Sequence, residues 1–121
     1  MAEKPCNLLK NGGGTDKWTL IDTSTSADIS FNGISFNELL IVVRGTDNSN
    51  SQVGLNVRVS KEEIDTNGAN TVWYATGGYY NSGANCFMNF SLNGSTKTFK
   101  PNVFGCNGQG VSNKTWYLYY K

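Results

Sequence analysis

The chain has no histidine, two prolines and three cysteines, and only 16% of its 121 residues are charged. Each shortage excludes something. Without histidine, the commonest general base and the commonest metal ligand are both missing. The cysteines Cys6, Cys86 and Cys106 lack CxxC spacing, so neither a zinc site nor a redox motif is expected. Cys86 opens an alternating run and reads as a small buried hydrophobe, Cys106 falls in a loop-like stretch, and Cys6 lies in a tail. A disulfide between two of them stays open at this level. Ten basic and nine acidic residues leave a net charge of +1, which is no footprint for nucleic acid or anionic lipid. No stretch approaches the ~20 apolar residues of a membrane span. Met1 to Pro5 lacks the apolar core of a signal peptide, so synthesis in the cytoplasm without membrane insertion is expected.

What the chain has instead is Asn, Ser, Thr and Gly, together roughly two residues in five and well above ordinary usage. Such a composition often accompanies disorder. Here aromatics reach 12% and fall inside periodic runs, which argues for a folded domain with a neutral, hydrogen-bonding surface. Asn11-Gly12-Gly13-Gly14 cannot hold a regular element, so residues 1–14 read as a flexible lead-in and residues 15–121 as one domain.

Within that domain the apolar pattern has period two. Trp18 to Asp22, Ile29 to Phe31, Glu38 to Arg44, Val53 to Ser60, Thr71 to Thr76 with Gly78 to Tyr80, Cys86 to Leu92, the weaker Thr96 to Lys100 and Val103 to Phe104, and Trp116 to Lys121 all read as strands. Val53, Leu55, Val57 and Val59 face one way, and Cys86, Met88, Phe90 and Leu92 do the same in their run. Pro101 marks an edge. Asn93-Gly94 marks a turn. Ser60 with Glu63 three positions on is a capping box, predicting one short helical turn. About eight strands with turn signals at roughly 8–12-residue intervals predict an all-β fold, an antiparallel β-sandwich of jelly-roll type.

Nothing in the motifs points to catalysis. A carboxylate pair could serve glycoside hydrolysis, but Glu3, Asp16, Asp22, Asp28, Asp47, Glu62, Glu63 and Asp65 fall in loops or the helical connector, and only Glu38 adjoins an apolar run. Asp65-Thr66-Asn67-Gly68 has the opening of a calcium loop without its closing glutamate and reads as a turn. Three N-x-S/T sequons, at Asn89, Asn93 and Asn113, match the frequency such a composition produces. No cofactor and no catalytic residue is expected.

Two sets of residues do suggest contacts. Trp73, Tyr74, Tyr79, Tyr80, Asn81 and Asn85 combine flat apolar rings with amides, the chemistry that holds sugars. Alternation forces about half of these aromatics off the core side, against a ligand or a second chain. On the other hand, if Trp116, Leu118 and Tyr120 are buried, Tyr117 and Tyr119 face outward, as do Leu40 and Val42 opposite Leu39, Ile41 and Val43. Apolar outer faces of this kind predict an oligomer.

The order of these segments resembles a known architecture. Asn37 to Val43, the alternating strand to Val59, the Ser60 to Ile64 connector, Tyr74-Ala75-Thr76-Gly77-Gly78-Tyr79, the Cys86 to Leu92 strand and the closing Trp116 to Lys121 are similar to the C-terminal β-rich head domains of tail-fibre and receptor-binding proteins of bacteriophages and prophages of gut Firmicutes. The resemblance implies a β-sandwich at a virion tail tip, assembled as a homotrimer, that binds a saccharide or protein on a bacterial surface without changing it chemically. It carries no motif that fixes ligand residues. The rival expectations are a structural component of a virion or other particle and a carbohydrate-binding module of a bacterial enzyme.

Overall fold

The computed structural model describes residues 17–47, 50–67, 71–80, 84–106 and 108–121; at 67, 71–76, 78–80, 84 and 109 it describes the backbone alone. The elements run β1 (Thr19–Ser24), β2 (Ile29–Ser30), β3 (Glu38–Thr46), β4 (Gln52–Ser60), α1 (Lys61–Asn67), β5 (Thr71–Tyr80), β6 (Ala84–Asn93), β7 (Thr98–Cys106), β8 (Gln109–Gly110) and β9 (Ser112–Tyr120). β2 and β8 are two residues long, which leaves seven full strands. Two antiparallel sheets result. One has the order β1-β9-β3-β4; the other has β2-β7-β6-β5, with β8 beside β7. The fold is a β-sandwich, as the alternation predicts.

Period-two alternation builds the core. Leu39, Ile41 and Val43 of β3 and Trp116 and Leu118 of β9 are fully buried from one sheet, and Cys86, Met88, Phe90 and Leu92 of β6 from the other. Phe99 of β7 joins the layers: its ring lies 5.6 Å from Phe90 in its own sheet and 5.9 Å from Trp116 in the opposite one. Truncating such a ring to alanine costs about 3–5 kcal/mol. In β4, Val53 and Val59 are buried and Leu55 and Val57 pack partly against the same core.

The capping box forms as the residues require. The Glu63 N–H donates to Ser60 Oγ at 3.1 Å, and the Ser60 N–H donates to Glu63 Oε1 at 3.3 Å. Ile64 of the helix is buried and closes one end of the core. After β6, Asn93 Oδ1 accepts the N–H groups of Ser95 and Thr96, both at 2.9 Å, and the turn ends with Lys97 at a φ of 56°.

Three local readings change. Thr98 to Lys100 and Val103 to Phe104 belong to one strand, β7, which passes straight through Pro101, while Thr96 and Lys97 belong to the turn before it. Pro101 is not on an outer edge strand, because β7 has β6 on one side and β2 and β8 on the other. The ladder tolerates it because the register slips between Asn89 and Phe90 of β6, where β7 is bulged. On the other side, β2 reaches only Thr98 and Phe99, and β8 only Gly105 and Cys106, so no described partner needs the missing N–H. Cys106 is not in a loop. It ends β7 directly opposite Cys86 and forms a disulfide with it. The lead-in 1–14, with Cys6, lies outside the described residues.

Candidate functional site

Each sheet has an outer face, and the two differ in character. On the four-stranded sheet the ladder puts Leu20, Tyr119, Leu40 and Arg58 in one row and Thr23, Tyr117, Val42 and Asn56 in the next. The Tyr117 and Tyr119 rings are nearly parallel, 15° apart in plane and 6.5 Å between centroids, with the Arg44 guanidinium carbon 5.9 Å from the Tyr117 centroid. Trp18, just before β1, has Arg58 Cζ at 5.2 Å and Lys121 Nζ at 4.7 Å from its ring. Thus all four residues expected at an oligomer interface sit on this outer side. They are not equally available: Tyr117, Tyr119 and Val42 are half-buried, but Leu40 is only 4% exposed within the single chain. Leu40 stands apart from the central core cluster, between Arg58 and Tyr119 in its row, where the Trp18–Arg58 bridge passes.

The outer face of the other sheet carries exposed apolar groups. Phe87 of β6 is 48% exposed and Val103 of β7 is 37% exposed. Phe87 stands opposite Gly77 on β5 and Gly105 on β7, and Gly105 stands opposite Gly110 on β8. The row across the sheet is therefore Gly-Phe-Gly-Gly, one ring rising from a floor without side chains. Beside it, Asn102 Nδ2 donates to Asn89 Oδ1 at 2.6 Å. A groove of about 290 Å³ runs here, lined by Phe87, Asn102, Val103 and Lys114 and by the glycines of β7 and β8. Phe87 was within reach of the sequence, since a run that buries positions 86, 88, 90 and 92 must turn 87 outward; the glycines beside it are non-local and gave no such signal.

The register divides the residues expected to bind a ligand. Trp73 stands opposite Ser91 and Tyr79 opposite Asn85, in step with Phe87, whereas Tyr74 stands opposite Phe90 and Tyr80 opposite Ala84. Asn85 is exposed and is itself engaged in a side-chain or backbone interaction. Asn81 lies outside the described residues. The four aromatics thus divide between two alternating sets of register positions.

The acidic groups have local roles. Asp47 Oδ1 accepts the Ser51 N–H at 2.9 Å, and Glu38 lies 3.8 Å from Lys121. Asp65 accepts a hydrogen bond from Lys61 and lies 3.9 Å from Lys97. That hydrogen bond lowers the Asp65 carboxyl from its ordinary value against an opposing desolvation, with help from the two nearby ammonium charges. Among the described residues, no group of three His, Cys, Asp or Glu is placed to hold a metal ion.

Comparison with known proteins finds no matching family model, no matching curated protein and no matching solved structure.

Proposed function

We propose that this β-sandwich is a non-enzymatic receptor-binding module of the phage tail-fibre kind, which grips a saccharide or protein on a bacterial surface through the outer face of the β5–β6–β7 sheet. The observation that carries this reading is Phe87, a ring 48% exposed in step with exposed Asn85 and beside the Asn89–Asn102 amide pair. Ring faces stack on sugar C–H groups, and amides offer the donor and acceptor that hydroxyls need. Trp73 and Tyr79 occupy β5 at register positions in step with Phe87. Val42, Tyr117 and Tyr119 meet further copies of the chain in a homotrimer at a virion tail, while Leu40, buried within the single chain, stays out of that contact. Three copies on one surface raise avidity by about 10²–10⁴ over a single weak site.

A second reading, a structural component of a virion or other particle, is favoured by one observation: Leu20 is 48% exposed beside the stacked Tyr117–Tyr119 pair on the four-stranded sheet. A bacterial-glycan array combined with light scattering separates the two. Glycan hits from a trimer support the receptor-binding reading. A stable trimer without hits favours the structural component, and a monomer removes the interface assigned to Val42, Tyr117 and Tyr119.

A further inference from the structure

The charges of this chain are divided along its length. All nine acidic residues occur at or before Asp65, and the remainder to residue 121 has four lysines, Lys97, Lys100, Lys114 and Lys121, with no aspartate or glutamate. The near-zero net charge conceals this. Strands β5, β6, β7 and β8 are therefore free of acidic residues throughout. Two of the four lysines have acidic neighbours, Lys97 near Asp65 and Lys121 near Glu38. Lys100 and Lys114 form no ion pair among the described residues. Lys114 lines the groove beside Phe87, and Lys100 lies on β7 in the same sheet.

The groove thus combines three things a single sugar unit can use. Gly105 and Gly110 keep the floor low enough for a ring to lie against the sheet beside Phe87. Asn102 supplies an amide at the wall, and Lys114, which reaches the groove from β9 of the other sheet, supplies a positive charge with no carboxylate among the groove's lining residues. In a groove without acids, such a charge favours an anion and confers no advantage on a neutral ligand.

We propose that the trough around Phe87 is a subsite for an anionic saccharide, a pyranose whose ring stacks on Phe87 while its acidic group meets Lys114. This deepens the receptor-binding reading above and rests on it. The face is matched to an acidic surface polysaccharide; a bare polyanion satisfies the lysines but leaves the ring and the glycine floor unused.

The test uses the full chain, titrated calorimetrically and by nuclear magnetic resonance. The probes are gluco- and galacto-configured uronic acid oligosaccharides, each as the free acid and as the methyl ester, and poly(glycerol phosphate), which is charged but has no ring. At least one free acid should bind about tenfold more tightly than its ester, as expected when a charge-assisted hydrogen bond is lost. The perturbed amides should include Gly105 and Gly110. Lys114→Gln should abolish the preference for the acid, and Phe87→Ala should weaken acid and ester alike; both positions are on the surface, so the fold survives. Equal binding of acid and ester overturns the anionic assignment and leaves the receptor reading standing. Binding of poly(glycerol phosphate) as strong as that of the acids overturns ring stacking. An absence of binding to every saccharide, here and on the array, removes the subsite and with it the saccharide form of the receptor-binding reading.

Discussion

Trp18 and Arg58 meet across the entire width of a sheet: the guanidinium carbon lies 5.2 Å from the indole centroid. Trp18 adjoins β1 and Arg58 belongs to β4, the two edge strands. Three inter-strand gaps of about 4.8 Å separate those strands. Both side chains therefore reach inward over β9 and β3, above Leu40. Trp18→Ala is expected to remove two cation–π contacts and uncover Leu40, costing about 1–2 kcal/mol. Arg58→Gln should cost less, since Lys121 still lies 4.7 Å from the ring. Urea denaturation followed by circular dichroism checks both. If Trp18→Ala left the midpoint unchanged, the bridge would not exist in solution.

The Cys86–Cys106 disulfide links adjacent strands separated by 20 residues of chain. Restriction of the unfolded state over a loop of that length is worth about 3 kcal/mol. Since both sulfurs are buried and directly opposed, reduction should leave the strand pairing intact while lowering the melting temperature. Calorimetry with and without reductant measures the difference. An unchanged melting temperature would mean that the pair is not formed in the purified protein.

Gly45 sits at an irregularity in the β3–β9 ladder, between Arg44 and Thr46. A Cβ there would lie 2.8 Å from the Ser112 carbonyl oxygen and against the Val111 side chain. Since the Ser112 oxygen is backbone, relief requires the strand to move. Gly45→Ala should destabilise by about 1–3 kcal/mol, detectable as a lower denaturation midpoint with the spectrum of the native state preserved.

The Asp65–Lys61 pair gives the short helix a pH dependence. Asp65 is less readily protonated in the folded chain than in the unfolded one. Its contribution to stability is therefore complete above the ordinary carboxylate range and is lost as the pH falls through the lowered folded value. The group is solvent-exposed, so the effect is small and fades with added salt. Comparing the acid limb of the stability profile for the native chain and Asp65→Asn isolates it; coincident limbs would remove the assignment. Ser60→Ala, by contrast, removes the cap itself and should cost about 1 kcal/mol at every pH.

The local grammar of the fold was legible. Val53 and Val59 on one side of β4, the four buried residues of β6 and the Ser60–Glu63 cap all followed from spacing within a few residues. The outward phase of Tyr117, Tyr119, Leu40 and Val42 followed by the same count. Continuity of β7 was not legible, because Pro101 is tolerated only where β2 and β8 both leave that position unpaired. The aromatic segment at residues 73–80 was visible as a group, yet its members divide between two sets of register positions, and Phe87, one strand away, is an exposed ring among the described residues.

By itself, the sequence determined which residues alternate, where the chain turns and that the chain is poor in charge and rich in amides. These are properties of neighbours along the chain, set by the geometry of a single strand. Only the tertiary structure decided that Cys86 faces Cys106, that glycines flank Phe87 and that Trp18 reaches Arg58. Each of those pairings depends on the register between strands brought together from distant parts of the chain, and a one-residue slip would exchange every partner and every face.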